Sequence, residues 1–247
     1  MSKKKTHNGM IGAKKGWFAG AILLFGLAVL FGLYVDQSTE ISAVELKGHY
    51  FSTEDELESA FESPVGILAD SVDFSGIRDP LKTLPYVKDV NISMGFRGTL
   101  TLEISEREPI GLLINGSQKA YVDRDGIKLP DRLEKATDVP LLYGFSVEPI
   151  ADTLNSQAFE QVRDFLVSAK ENSFGWLTIS EVTWNEREGV VALSHENGVK
   201  LLFGHENFER KLSNWEAFYA EVVSRKGIES FRNIDLRFRD QIVALEN

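Results

Sequence analysis

The sequence predicts an α+β protein: a single N-terminal transmembrane helix, a small β-α-α-β-β unit, then a mixed β-sheet domain flanked by helices. Three observations predict it. Residues 17–35 are almost wholly apolar and carry no charge. Apolar residues alternate strictly over 90–94 and 99–105, behind two helix-period segments. Beyond Pro109, short alternating runs are separated by turn residues and interrupted by two amphipathic helices.

Nineteen helical residues reach ~28 Å, the thickness of a bilayer's hydrocarbon core. The anchor residues expected in this span are the aromatics Trp17, Phe25, Phe31 and Tyr34. A cleaved signal has a shorter apolar stretch and a small-x-small site, and 34–38 offers none. Gly16 and Gly20 have helix-pairing spacing, which alone is a weak signal. Residues 1–16 hold five lysines and no acid, so that tail is expected in the cytoplasm. Taking those five from the chain's 27 basic residues leaves 22 against 37 acids, a formal charge of −15 outside. Such a surface argues against nucleic acid and against lying flat on anionic lipid. There is no cysteine, and ~210 residues can bury cores without disulfides.

Residues 36–40 read as a linker, and the small unit is expected over 41–108. Val44 and Leu46 mark a strand ending at Gly48. Ser52 to Asp55 open a helix with Leu57, Ala60 and Phe61 on its inner face. Phe74, Ile77, Leu81 and Leu84 stripe a second helix, with Pro80 inside it and Pro85 at its end. Val90, Ile92 and Met94 then pair with Leu100, Leu102 and Ile104 in a hairpin.

The second domain is expected over 109–247. Strands are predicted at 110–114 and 120–122, an irregular Pro-bearing stretch over 128–150, and a helix over 153–171. Further strands are predicted at 176–185, 189–194 and 199–204. Asn207 to Lys226 forms an amphipathic helix through Phe208, Leu212, Trp215, Tyr219 and Val222. Ile234, Leu236 and Phe238 alternate with Asn233, Asp235, Arg237 and Arg239, and a last strand covers 242–245.

No cysteine nucleophile, phosphate loop or zinc-protease motif is present. His195-Glu196 and His205-Glu206 bracket one strand, which sets them ~20 Å apart and argues against a shared metal. Glu106 and Glu108 suit a hydrolytic carboxylate pair, but an acidic chain makes such pairs common. Trp176, Trp184 and Trp215 read better as core than as a sugar cleft. A terminal strand offers unpaired amides and carbonyls to another chain. Arg237 and Arg239, read as sharing a face of that region, suit either a partner's carboxylates or plain solvation.

The order of parts resembles the FtsQ/DivIB family of bitopic cell-division proteins. ISAVELKGHYFSTEDELESAF is similar to the first strand and helix of its POTRA domain, and LKTLPYVKDVNISMGFRGTLTLEISEREPIG to its hairpin and exit. YVDRDGIKLP, GVKLLFG, FERKLSNWEAFY and IDLRF are similar to landmarks of its β domain. Tyr86 stands for a tryptophan, Met94 to Gly98 for an Arg-x-Trp-Pro turn, Phe238 for a tyrosine, and Gln241 for a turn glycine. The resemblance implies a POTRA domain and a scaffold rather than an enzyme, with no cofactor, no metal and no small-molecule substrate. It implies a single-pass inner-membrane protein of the septum, with its outer domains in the periplasm, that recruits the FtsB–FtsL pair and other divisome membrane proteins. The partner residues it implies are Arg237 and Phe238, with Arg239, Ile242 and Ala244 beside them on the terminal edge. A membrane-tethered peptidoglycan hydrolase is the rival reading.

Overall fold

A computed structural model describes residues 20–30 and 40–247. Residues 20–30 are helical (α1), and Phe25 with its apolar neighbours from Ile22 to Leu30 is exposed. Trp17, Phe31, Tyr34 and both ends of the expected span lie outside the described residues. Among the described residues no helix is long and apolar enough to cross a membrane.

The chain divides into two units. One holds the chain to His49, Thr53–Leu81 and Val90–Ile104; the other holds Tyr50–Ser52, Lys82–Asp89 and Ser105–Asn247.

The first unit centres on a three-stranded sheet in the order β1-β3-β2, built from β1 (Ala43–Lys47), β2 (Val87–Met94) and β3 (Thr99–Glu106). Burial of Val90, Leu100, Leu102 and Ile104 explains their alternation. α2 (Glu54–Glu58) starts at Thr53, whose hydroxyl accepts the Glu56 amide while Glu56 reaches back, satisfying two free helix-end donors. It is short: Ala60 and Phe61 follow outside it. α3 (Phe74–Leu81) buries Ile77 and Leu81, with Pro80 tolerated next to its end. Gly48 adopts φ +78, and a Cβ there would lie 2.4 Å from the Ile104 carbonyl oxygen.

The second unit is a nine-stranded sheet in the order β12-β11-β10-β9-β8-β7-β4-β5-β6. Its strands are β4 (Pro109–Asn115), β5 (Gln118–Asp123), β6 (Lys128–Pro130), β7 (Leu141–Tyr143), β8 (Ile179–Asn185), β9 (Gly189–Ser194), β10 (Lys200–Gly204), β11 (Phe231–Asp235) and β12 (Val243–Glu246). α4 (Gln157–Glu171) and α6 (Phe208–Phe218, continuing to Lys226) pack on one face. Phe159, Val162, Phe165, Leu212 and Trp215 there meet Val182, Val190, Leu201, Phe203 and Ile234. Phe51, Tyr86, Tyr121 and Leu129 form a second cluster, with Phe51 stacked on Tyr86 at 4.6 Å.

Several expectations are corrected. The stretch 128–150 contains β6 and β7, three residues each. Residues 176–178, expected as the start of a strand, instead end α5 (Ser173–Thr178), because Asn172 Oδ1 accepts the Gly175 amide at 2.6 Å and starts a helix. α6 takes a π-helical turn over Tyr219–Val223, which rotates the stripe so that Val223, not Val222, is fully buried. Trp215 is buried, with Nε1 donating to Thr178 Oγ1 at 2.9 Å.

Candidate interaction edge

β10 runs parallel to β11 across the α6 crossover, and β11 pairs antiparallel with β12. β12 ends the sheet order, so one flank faces β11 and the other bonds to no strand of the described chain. Ile234 sits opposite Ala244 and Asp235 opposite Val243. Ile234 is fully buried, which fixes the pleat: Ile242 and Ala244 turn to the core, while Val243 and Leu245 stand 44% and 50% exposed on the other face.

The arginine pattern is corrected. β11 stops at Asp235, and 236–242 is not strand. Asp235 Oδ1 accepts the Arg237 amide at 3.0 Å, a side-chain turn that diverts the backbone from the ladder. The Arg237 guanidinium closes back on the same carboxylate. Burial alone would raise the Asp235 carboxyl, but hydrogen bonds and charge from Arg237 hold it below its ordinary value; the pair likewise raises Arg237. The Arg237 guanidinium therefore stands at the surface as half of an ion pair. Gly204, at φ +77, leaves the space that Arg237 occupies: a Cβ there would lie 3.1 Å from Arg237 Cγ. Beneath it, buried Lys211 donates from Nζ to the Phe203 and Glu206 carbonyls at 2.7 and 2.6 Å. Phe238 and Arg239 are exposed in the loop. A cavity of about 470 Å³ lies between α6 and this loop, lined by Phe218, Val222, Arg239, Asp240 and Ile242 among others.

Sequence reasoning missed Val243 and Leu245. The run Ile242 to Leu245 is apolar on both faces, so period two marks a strand without saying which face is inside.

The carboxylate pair separates into two unrelated roles. Glu106 accepts the backbone amides of Tyr50, Phe51 and Ser52 at 2.6, 2.7 and 2.7 Å. Partial burial opposes its charge, yet bonds from Ser52, Tyr50 and Phe51 prevail and hold it below the usual glutamate value, the reverse of what a general acid needs. Glu108 instead pairs with Lys170 at 3.1 Å. Among the described residues no group of three His, Cys, Asp or Glu is placed to hold a metal.

Comparison with known proteins matches two consecutive stretches of the chain. The family described as "FtsQ/DivIB, C-terminal related" matches residues 108–245, and "POTRA domain, FtsQ-type" matches residues 39–107. The chain is similar to the cell division protein FtsQ of Rhodothermus marinus, 29% identical over 85% of this chain and 79% of that one. FtsQ of Geotalea daltonii is 28% identical over 64% of this chain and 58% of its own length. A solved major extracytoplasmic domain of the cell division protein DivIB from Geobacillus stearothermophilus aligns at TM-score 0.33 and 19% identity, over 49% of this chain and 98% of that one.

Proposed function

This chain belongs to the FtsQ/DivIB family of cell division proteins, and from that premise we propose that it is a non-enzymatic, single-pass scaffold of the division septum. In this reading residues 17–35 cross the inner membrane and 1–16 stay in the cytoplasm. Residues 36–40 link to a POTRA domain at 41–108 and a β domain at 109–247, both in the periplasm. The β domain recruits the FtsB–FtsL pair by strand addition, and the protein meets other divisome membrane proteins through its anchor and POTRA domain.

The observation that carries this reading is the flank of β12 that pairs with no strand among the described residues. Strand addition supplies backbone hydrogen bonds, and side chains around the strand supply selectivity. Phe238, Val243 and Leu245 offer exposed apolar surface beside that flank, with Arg239 in the adjoining loop. Glu106, committed to three backbone amides, weighs against the hydrolase reading.

The test is co-purification of the full chain with the FtsB–FtsL pair, before and after removal of residues 243–247. Ile234 and Leu236 are core residues and must be kept. Loss of the pair with the protein still in the membrane supports the edge; unchanged recovery rejects it. Depletion in the host should give long, unseptated cells.

A further inference from the structure

The N-terminal end of the small sheet carries an apolar cap that its own core does not use. β1 and β3 are parallel with Ala43 opposite Thr99, so the β2–β3 turn stands where β1 begins. Ser42 ties the two together, donating from N to the Gly98 carbonyl and from Oγ to the Arg97 carbonyl, both at 2.9 Å. The loop over 64–68 is fastened to the same place. Ile41 donates to the Ile67 carbonyl at 2.9 Å, Gly66 donates to the Ile41 carbonyl at 2.8 Å, and Glu40 bridges to Leu68. Two separate segments thus converge on residues 40–42.

Both present apolar side chains outward. Phe96, at the turn, is 85% exposed, and Val65, Ile67 and Leu68 are exposed in the loop. The turn is built at a backbone cost. Arg97 takes φ 62, a left-handed conformation that costs a non-glycine residue about 1 kcal/mol, and Gly98 follows at φ 80. The Arg97 guanidinium lies 5.3 Å from the Phe96 ring centroid. This is an aromatic tip with a cation beside it, far more exposed than Met94 or Phe74, the other exposed large apolar residues of the sheet and α3.

The chain itself says what lies opposite. Glu40 follows Val35, the last residue of the apolar stretch, by five residues. Five extended residues reach at most ~18 Å. The headgroup zone outside the hydrocarbon takes up roughly 5–8 Å of that on each side. The cap is therefore tethered at the bilayer surface, at the one end of the unit where the chain leaves for the membrane. An aromatic ring suits the boundary between headgroups and acyl chains, and an arginine beside it can keep its charge in the headgroups. The acidic remainder of the outer chain disfavours general adsorption to lipid.

We propose that Phe96, Ile67 and Leu68 dip into the outer headgroup–acyl boundary, a second membrane contact that fixes how the small unit stands on the bilayer. This rests on the reading of residues 17–35 as a membrane span. The chain has no cysteine, so Ile67→Cys gives a unique site for a polarity-sensitive fluorophore, and Gln118→Cys in the other unit gives a control. Each full-length protein is reconstituted in phosphatidylcholine vesicles, with lipids brominated near the glycerol as quenchers. Flotation with the vesicles reports the span independently. Quenching at position 67 severalfold above that at 118, reduced severalfold by Phe96→Asp, supports the contact. Flotation with position 67 as unquenched as 118 overturns it while the span stands. Failure to float overturns both. Shielding of position 67 that needs an added division protein and is absent in lipid alone assigns the cap to that protein and also overturns the proposal.

Discussion

Arg237 grips Asp235 at two points, Nε to Oδ1 at 2.9 Å and Nη2 to Oδ2 at 2.6 Å. The same carboxylate ends β11 by accepting the Arg237 amide. Asp235→Asn keeps an acceptor for that amide and removes the charge. We expect a loss of about 1–2 kcal/mol in denaturant unfolding at neutral pH, modest because Arg237 is partly exposed. The carboxyl titrates below its ordinary value near 3.8 in the folded protein. Its contribution is therefore full above that value and lost as pH falls through the lower folded pKa. The wild type should lose this increment in acid, and the variant should not; equal acid sensitivity would reject the pair as a stabiliser.

Val243 and Leu245 face outward while Ala244 faces Ile234. Val243→Asp with Leu245→Asp should leave thermal stability nearly unchanged, within about 0.5 kcal/mol for exposed positions. It should weaken capture of the FtsB–FtsL pair at least about tenfold, or ~1.4 kcal/mol. Ala244→Asp should do the opposite first, destabilising the fold by placing a charge against the core. Binding unchanged in the double variant would mean that the partner uses another surface.

How much of this was legible in the sequence depends on the length and burial of each element. The hairpin around Val90 and Leu102 was readable because apolar residues alternate over 90–94 in β2 and over 99–105 in β3, where Leu100, Leu102 and Ile104 are buried on one face. β6 and β7 were not, since three residues carry no period and Pro130 and Pro140 read as breakers. Residues 176–178 looked like strand because Trp176 favours strands, and the Asn172 cap decided otherwise. At the candidate edge the strand itself was legible. The engagement of Arg237 by Asp235 was not, because alternation is blind to a side chain that bonds its own backbone.

Glu106 gathers three consecutive amides, those of Tyr50, Phe51 and Ser52. Glu106→Gln retains one acceptor oxygen and loses the charge that makes these bonds short. We expect a lower melting temperature, equivalent to about 1–3 kcal/mol. Its folded pKa is depressed below the ordinary 4.5, so the stabilisation is present above that value and fades as pH falls through the folded pKa. A melting temperature that falls between neutral pH and acid in the wild type, with a shallower fall in Glu106→Gln, is the measurement. The same variant should bind the FtsB–FtsL pair normally, and no cell-wall hydrolysis should be present for it to abolish.

Gly189 and Gly204 face one another where β9 and β10 meet, at an irregularity in the ladder. Gly189 has φ +70, and a Cβ there would sit 2.3 Å from the Gly204 carbonyl carbon and 2.4 Å from its oxygen. The obstacle is backbone, which cannot swing aside as a side chain can. Gly116 also has positive φ, +60, but a Cβ there meets nothing within 4 Å. Gly116→Ala should therefore cost only the conformational strain, about 1 kcal/mol. Gly189→Ala should cost that plus displacement of the opposing strand, for a total of roughly 2–4 kcal/mol by chemical denaturation. Because Gly204 also makes room for Arg237, the displacement should loosen the Arg237–Asp235 pair. Gly189→Ala should then flatten the acid-dependent increment that Asp235 contributes, while Gly116→Ala leaves it intact. Equal costs for the two glycines would show that the β9–β10 end is looser than its close backbone approach implies.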